Sequence, residues 1–109
     1  MKHDEVERLV GELEAEVNNG GFDQFFFNSA GDDVAKTIEA LEVIGAYKTA
    51  TIVRRACAKF PGGMPPADRD ARQGLLLDVV SPDSEAFEAE DEDFYVYQDD
   101  LSALVAAHS

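Results

Sequence analysis

Hydrophobic residues recur along this chain every three or four positions, which is the spacing of amphipathic helices. The first run lies in residues 4–19, where one helical face carries Val6, Leu9, Val10, Leu13 and Val17. The sequence Asn18-Asn19-Gly20-Gly21 predicts the end of that helix, since Gly and Asn tolerate the left-handed conformation of a helix cap. A short aromatic helix is predicted next, because Phe22, Phe25 and Phe26 meet on one face.

Three further helices are predicted in the middle of the chain. The first follows a cap at Asp32 or Asp33 and extends from residue 34 to a glycine at position 45. The second covers residues 46–60, and the third covers residues 67–79 after a Pro-Gly-Gly-Met-Pro-Pro break. The inward-facing residues are predicted to be Val34, Ile38, Leu41 and Ile44 in the first, Ala50, Val53, Cys57 and Phe60 in the second, and Ala71, Leu75, Leu76 and Val79 in the third.

The last predicted helix begins at Ser81-Pro82, a typical start with Ser as the cap and Pro at the first helical position. Large side chains then recur every seven residues, at Phe87, Phe94, Leu101 and His108. Glu90 falls beside this stripe, so the helix either breaks near residues 88–92 or provides Glu90 with a basic partner. No alternating strand pattern persists. The sequence therefore predicts one compact all-α domain, residues 1–109, of five or six helices with an acidic C-terminal helix.

The charge of the chain narrows the choice of partner. Asp and Glu number 23, Lys and Arg number 9, and the net charge is −14. Direct binding to nucleic acid or to an anionic membrane is excluded as the default, since both need a basic surface. Residues 73–109 hold ten acidic residues and no Lys or Arg, whereas residues 1–72 are nearly balanced. A basic protein is the favoured partner.

The acidic side chains of this segment are also predicted to point outward, on one side of a helix. If residues 83–100 form one helix, it spans roughly 27 Å, and its nine acidic residues approach the linear charge density of a DNA strand. The residues predicted to bind a partner are Glu85, Glu88, Glu92 and Asp99 on an outward ridge, flanked by Asp91, Asp93 and Asp100. Two alternatives remain open. The ridge is a solvated face that aids solubility, or it pairs within the same or a second chain with Lys48, Arg54, Arg55, Lys59, Arg69 and Arg72.

The sequence predicts no catalytic residue, metal site or cofactor. Cys57 is the only cysteine, so no intrachain disulfide forms, and its apolar stripe predicts that it packs as a small hydrophobic residue. His3 and His108 lack the spacing of zinc ligands. The acidic run at residues 91–93 lacks the glycine of a calcium-binding loop, since Val96 stands there. Neither a membrane span nor a signal peptide is visible, which predicts a cytoplasmic protein.

Polar residues surround the aromatic motif. Asn18, Gln24 and Asn28 are predicted to hydrogen-bond the backbone of the turns beside them. The alternative is that these three side chains bind a small ligand.

A longer pattern of residues accompanies this motif. It begins with Asn19-Gly20-Gly21-Phe22, Gln24-Phe25 and Asn28, and continues with Ala40-Leu41, Ile44-Gly45-Ala46, Phe60-Pro61, Phe94-Tyr95 and Asp99-Asp100-Leu101. In these residues, which span about 12–107, the chain resembles the bacterial DNA-mimic-protein family. The resemblance implies an all-α fold, a homodimer, and an acidic surface that imitates duplex DNA for a DNA-binding protein such as a transcription factor. It supplies no catalytic residues.

Together, these observations predict a non-enzymatic interaction protein that mimics duplex DNA toward a basic DNA-binding protein. One alternative is an immunity-type protein that neutralises a basic toxin, since small size and acidity suit that role equally. The other is a small-ligand module of unknown activity built on Asn18, Gln24 and Asn28.

Overall fold

The computed structural model describes residues 1–108, which form a single all-helical domain with no strand among them. Six α-helices occur within these residues. They are α1 (His3–Phe27), α2 (Val34–Val43), α3 (Tyr47–Cys57), α4 (Arg69–Leu75), α5 (Glu88–Tyr95) and α6 (Leu101–Ala107). Short 3₁₀ turns cover Ser29–Asp33 and Pro61–Gly63, and a wider π turn covers Leu76–Val80. The all-α fold predicted from the sequence is confirmed.

The long helix α1 consists of two halves joined by a kink at Gly20 and Gly21. Gly21 has φ 71° and ψ −173°, a backbone region that essentially only glycine occupies. A Cβ atom at this position would collide with the carboxylate of Asp91. The helix over residues 4–19 and the aromatic helix after it were both predicted, and the kink is the junction between them.

The aromatic half of α1 lies at the centre of the core and packs against α5. The Phe26 ring centroid lies 5.0 Å from that of Phe60 and 5.3 Å from that of Phe87, distances typical of favourable aromatic pairs. The Phe22 ring lies 6.0 Å from that of Phe94 on α5. The inward-facing sets predicted for residues 4–19, 34–44 and 46–60 are all buried.

The predicted helix over residues 67–79 differs from the structure in its ends and in its buried face. It begins at Arg69 after an Asp68 cap and widens into the π turn after Leu75. Ala71 and Val79 were predicted to face inward and are instead exposed. Leu76 is buried as predicted, but the buried residue within α4 itself is Arg72, because backbone carbonyls from other segments surround its guanidinium group.

The predicted start of the last helix at Ser81-Pro82 is wrong, since turns cover residues 81–87 and α5 begins only at Glu88. Nor does one helix cover residues 83–100. The helix ends at Tyr95, and Tyr97 adopts a positive φ of 52°. Phe87, Phe94 and Leu101 are nevertheless all buried, because the chain returns to the same core after each turn.

The predicted cap of α2 is also wrong. Asp33 occupies the position before Val34, but its side chain makes no capping hydrogen bond. The Asp32 carboxylate instead binds Arg69 and Arg72. Neither of the two predicted aspartates therefore caps α2, since Asp33 makes no capping bond and Asp32 is held by two arginines of α4.

Candidate partner-binding surface

Helix α5 is anchored to the kink of α1 through Asp91. The Phe22 backbone N–H donates to Asp91 Oδ1 at 2.8 Å, so the carboxylate caps the aromatic half-helix that starts there. Gly21 leaves the space that this carboxylate occupies. Burial raises the pKa of Asp91, the bond from Phe22 opposes this, and nearby carboxylates such as Asp23 raise it further. Asp91, predicted as a partner-binding residue, therefore positions α5.

Two cations neutralise the side of α5 that faces α3. Arg55 donates to Asp93 Oδ2 at 2.7 Å and to Glu90 Oε2 at 3.1 Å. Lys59 Nζ lies 3.0 Å from Glu90 Oε1 and donates to the Ala86 carbonyl at 2.7 Å. Glu90 is only 4% exposed, and these cations offset the cost of burying its charge. Of the two expectations for Glu90, the basic partner is the one that the structure shows.

The two acidic residues before α6 bind backbone groups of helix starts. Asp99 Oδ2 accepts from the Thr49 backbone N–H at 2.7 Å and from the Thr49 hydroxyl at 2.9 Å. Asp100 Oδ1 accepts from the Ala103 N–H at 3.2 Å and so caps α6. Helix α5 ends at Tyr95, before these two residues, so the predicted ridge that aligned Asp99 with α5 does not exist.

The remaining predicted residues, Glu85, Glu88 and Glu92, are exposed. Within residues 1–108, none of their carboxylates forms a hydrogen bond or an ion pair. Glu88 and Glu92 are one turn apart on α5 and therefore share a face, while Glu85 lies in the turn before the helix. Asp23 adds a charge near Asp91 that the sequence interpretation missed. Its position between two core residues, Phe22 and Phe25, was the available signal.

Exposed aromatic and apolar side chains lie at the C-terminal end of α5. Tyr95 is 49% exposed and Val96 is 68% exposed. The Tyr97 hydroxyl donates to Glu14 Oε1 at 2.8 Å and accepts from Asn18 Nδ2 at 2.8 Å, which fixes this segment against α1. We define the acidic face as Glu85, Glu88 and Glu92, and Tyr95 and Val96 lie at its C-terminal end.

The polar residues near the kink bind other side chains, so their predicted backbone hydrogen bonds are wrong. Glu16 Oε2 accepts from Gln24 Nε2 at 2.8 Å and from Asn28 Nδ2 at 3.0 Å. Asn18 donates to the Tyr97 hydroxyl. Since Glu16 lies before the kink and its two donors lie after it, the cluster braces the two halves of α1.

Three of the other predicted cations bind acidic residues outside the acidic segment, namely Arg54, Arg69 and Arg72. Arg69 and Arg72 both bind Asp32, and their hydrogen bonds lower the pKa of that carboxyl to about 2. Arg54 binds Glu42, and Lys48 is exposed. Pairing with the acidic segment of the same chain is therefore confirmed for Arg55 and Lys59 and wrong for Arg54, Arg69 and Arg72.

Several other chemistries find no support in the described residues. Cys57 is buried, and burial raises the pKa of its thiol to about 12, which suppresses the reactive thiolate. Residues 1–108 contain no group of three His, Cys, Asp or Glu side chains placed to hold a metal ion. No helix in this part of the chain is both long and apolar enough to cross a membrane.

A model of the DMP19-like protein family matches residues 8–108, which supports the resemblance noted above at the level of the family. No curated protein and no solved structure matches the chain significantly.

Proposed function

This chain belongs to the DMP19-like protein family, and we propose a function from that membership and from the acidic face. In this proposal the protein is a non-enzymatic mimic of duplex DNA, and its acidic face binds a basic DNA-binding protein. One observation carries the proposal. The chain places Arg55 and Lys59 on the inner side of α5, while the carboxylates of Glu88 and Glu92 on the same helix have no cation among the described residues.

The free carboxylates are costly in the isolated protein and useful to a partner. Like charges one helical turn apart repel each other by a few tenths of a kcal/mol, and Glu88 and Glu92 have this spacing. A cationic partner would remove this repulsion and form charge-assisted hydrogen bonds. The net charge of −14 would also steer a basic partner toward the protein from a distance.

The same surface explains how binding would regulate the partner. Arg and Lys side chains that otherwise contact DNA phosphates would bind the carboxylates of the acidic face, so duplex DNA would be displaced. Tyr95 and Val96 beside this face would supply the apolar contacts that stable interfaces need. A homodimer, which the family resemblance implies, would present the surface twice. With a transcription factor as its partner, the protein would act in the cytoplasm.

The test is capture of a partner from the native cell, elution with a salt gradient, and competition with duplex DNA. We expect the partner to elute as salt rises and DNA to compete for it. The Glu88→Gln/Glu92→Gln variant should bind more weakly. The Glu39→Gln/Asp70→Asn variant changes the net charge equally at exposed positions on α2 and α4 and should bind normally.

Two results would contradict DNA mimicry. One is a partner that binds this protein and DNA at the same time. The other is an equal loss of binding in the two charge-matched variants, since that would mean that net charge rather than the acidic face determines affinity. Capture of a basic enzyme with no DNA-binding activity would instead support the immunity-type alternative.

A further inference from the structure

A groove of about 280 Å³ lies between α3 and the segment that follows α5, and it is lined by Tyr47, Lys48, Thr51, Ile52, Arg55 and Gln98. This volume is just below the usual range of small-molecule sites, so the groove suits one large side chain better than a cofactor. Ile52 belongs to the core, whereas Tyr47 and Thr51 are exposed. The groove therefore connects an apolar residue of the core with an exposed aromatic ring.

This groove is continuous with the apolar end of the acidic face. Arg55 lines the groove and donates to Asp93 on α5, and Gln98 lines it two residues after Val96. Val96 and Tyr47 are the two most exposed large hydrophobic side chains of the described residues, at 68% and 66%. Exposed apolar side chains that are bordered by polar groups are typical of protein interaction sites.

Tyr97 fixes the backbone between Val96 and the groove. Its φ of 52° is a conformation that a non-glycine residue adopts only when its surroundings enforce it. The Tyr97 hydroxyl binds Glu14 and Asn18, and its ring centroid lies 5.4 Å from that of Phe94. The exposed position of Val96 is therefore built into the free protein, and a preformed surface loses less entropy when a partner binds.

The charge changes sign along this surface. Glu88 and Glu92 are one turn apart on α5, and Val96 follows Glu92 by one further turn, so Glu88 and Val96 are separated by roughly 12 Å along the helix. Lys48 lines the groove and is exposed, and it forms no ion pair with another described residue. A cation of the partner is therefore attracted to α5 and repelled from the groove, which favours an uncharged occupant.

We propose that this groove is the anchor pocket of the partner interface. Its occupant is a large apolar side chain, such as phenylalanine, on a basic helix of the partner. A helix repeats its side chains at the spacing of Glu88, Glu92 and Val96, so the anchor would follow two cations on the same helical face. Interfaces gain most of their binding energy from a few such anchors, and surrounding charges contribute less. This inference rests on the proposed function and specifies the side chain that the partner must present.

The test uses two synthetic alanine-based helical peptides of identical composition, titrated into the full chain at constant ionic strength and followed by fluorescence anisotropy. Both peptides carry two lysines one turn apart. The first has a phenylalanine one turn further on the same face, and the second has it on the opposite face. We expect the first to bind roughly tenfold more tightly. In heteronuclear NMR spectra, only the first should shift the amide signals of Tyr47, Thr51 and Gln98.

Variants of the protein locate the anchor. Thr51→Phe fills the groove and should reduce the affinity for the first peptide to that for the second. Ala103→Phe is the matched control, because Ala103 is exposed on α6 and does not line the groove. Thermal unfolding monitored by circular dichroism shows whether each variant is folded. If Thr51→Phe unfolds, Tyr47→Ala replaces it, since it removes the exposed ring beside the groove and should also weaken binding of the first peptide.

The anchor pocket is overturned if neither peptide binds, if both bind equally, or if a folded groove variant binds the first peptide as well as Ala103→Phe does. When both peptides bind equally but Glu88→Gln/Glu92→Gln weakens them, the acidic face still binds cations and the proposed function stands without the pocket. Normal binding of both peptides by Glu88→Gln/Glu92→Gln would contradict the acidic face itself, and the proposed function would fail together with this inference.

Discussion

Both sides of α5 carry carboxylates, but those of the inner side are paired with cations and those of the outer side are not. On the inner side, Glu90 and Asp93 are held by Arg55, and Glu90 is nearly fully buried. On the outer side, Glu88 and Glu92 are exposed and have no cation among the described residues. The comparison teaches that the number of acidic residues overstates the surface available to a partner, because part of the charge is already used to hold the helix in place.

The largest expected effect comes from removing the cations of the inner side. The Arg55→Met/Lys59→Met variant should lower the free energy of unfolding by about 3 kcal/mol, since it leaves the buried Glu90 carboxylate uncompensated. The measurement is unfolding in urea. The matched control is Lys36→Met/Lys48→Met, which removes two exposed cations without a described acidic partner. An equal loss in the control would mean that net charge, not local pairing, stabilises α5.

A second prediction concerns the other attachment of the inner side. The Gly21→Ala variant should lower the free energy of unfolding by about 2 kcal/mol, because alanine disfavours this backbone conformation and its Cβ atom collides with Asp91. Gly62→Ala is the control, since Gly62 also has a positive φ, 82°, but open space around a Cβ atom. It should cost less.

The contribution of the collision can be isolated with Asp91→Ala, measured in the same urea series. In the Gly21→Ala/Asp91→Ala variant the collision is absent, so the combined loss should be smaller than the sum of the two single losses. Strict additivity would indicate that Asp91 does not seat α5 at the kink.

The third prediction uses pH to separate carboxylates with opposite shifts. The arginine contacts lower the pKa of Asp32 from 3.8 to about 2. Its stabilising contribution is therefore complete above pH 3.8 and is lost as the pH falls toward about 2. Burial raises the pKa of Asp91, so its contribution has the opposite sign and stability falls as the pH rises above 3.8 through the raised pKa.

Urea midpoints measured from pH 2 to pH 7 check these signs. Asp32→Asn should flatten the rise in stability between about pH 2 and pH 4. Asp91→Asn keeps an oxygen that can accept from Phe22 and should remove the fall at higher pH. The same slope in wild type and both variants would show that neither carboxyl titrates differently in the folded chain.

The helices whose apolar residues recur at helical spacing were predictable from the sequence. Their apolar residues point to one core whatever the rest of the chain does, as in residues 4–19 and 34–44. The burial of Arg72 was not predictable, because it depends on the carbonyls of Phe26 and Asn28 more than forty residues away. No local sequence pattern predicts the burial of a cation that donates its hydrogen bonds to backbone carbonyls far away in the chain.

Only part of the acidic surface was predictable, because helical spacing shows which side chains point outward but does not show distant contacts. Glu88 and Glu92 were assigned outward from helical spacing alone, and the structure leaves them exposed. Asp91 and Asp99 were assigned to the surface but bind Phe22 and Thr49. Their roles depend on a glycine kink and a helix start far away in sequence, so composition and periodicity could not separate them from free carboxylates.

The smallest expected effect on stability comes from the outer side of α5. The Glu88→Gln/Glu92→Gln variant should leave the free energy of unfolding unchanged or raise it by a few tenths of a kcal/mol, because it removes repulsion between like charges one turn apart. Urea unfolding beside Glu39→Gln/Asp70→Asn checks this. A loss above about 1 kcal/mol would mean that the outer carboxylates hold the fold, as those of the inner side do.

The same variant should act mainly on the rate of partner association. Long-range attraction sets the association rate of charged proteins, so removing two exposed carboxylates should lower it and reduce its dependence on salt. Stopped-flow or surface-based kinetics with the captured partner measures both quantities. If the variant keeps its stability but loses rapid, salt-sensitive association, the outer side of α5 takes part in binding the partner. Unchanged kinetics would mean that the outer side only keeps the protein soluble, and that the partner binds elsewhere.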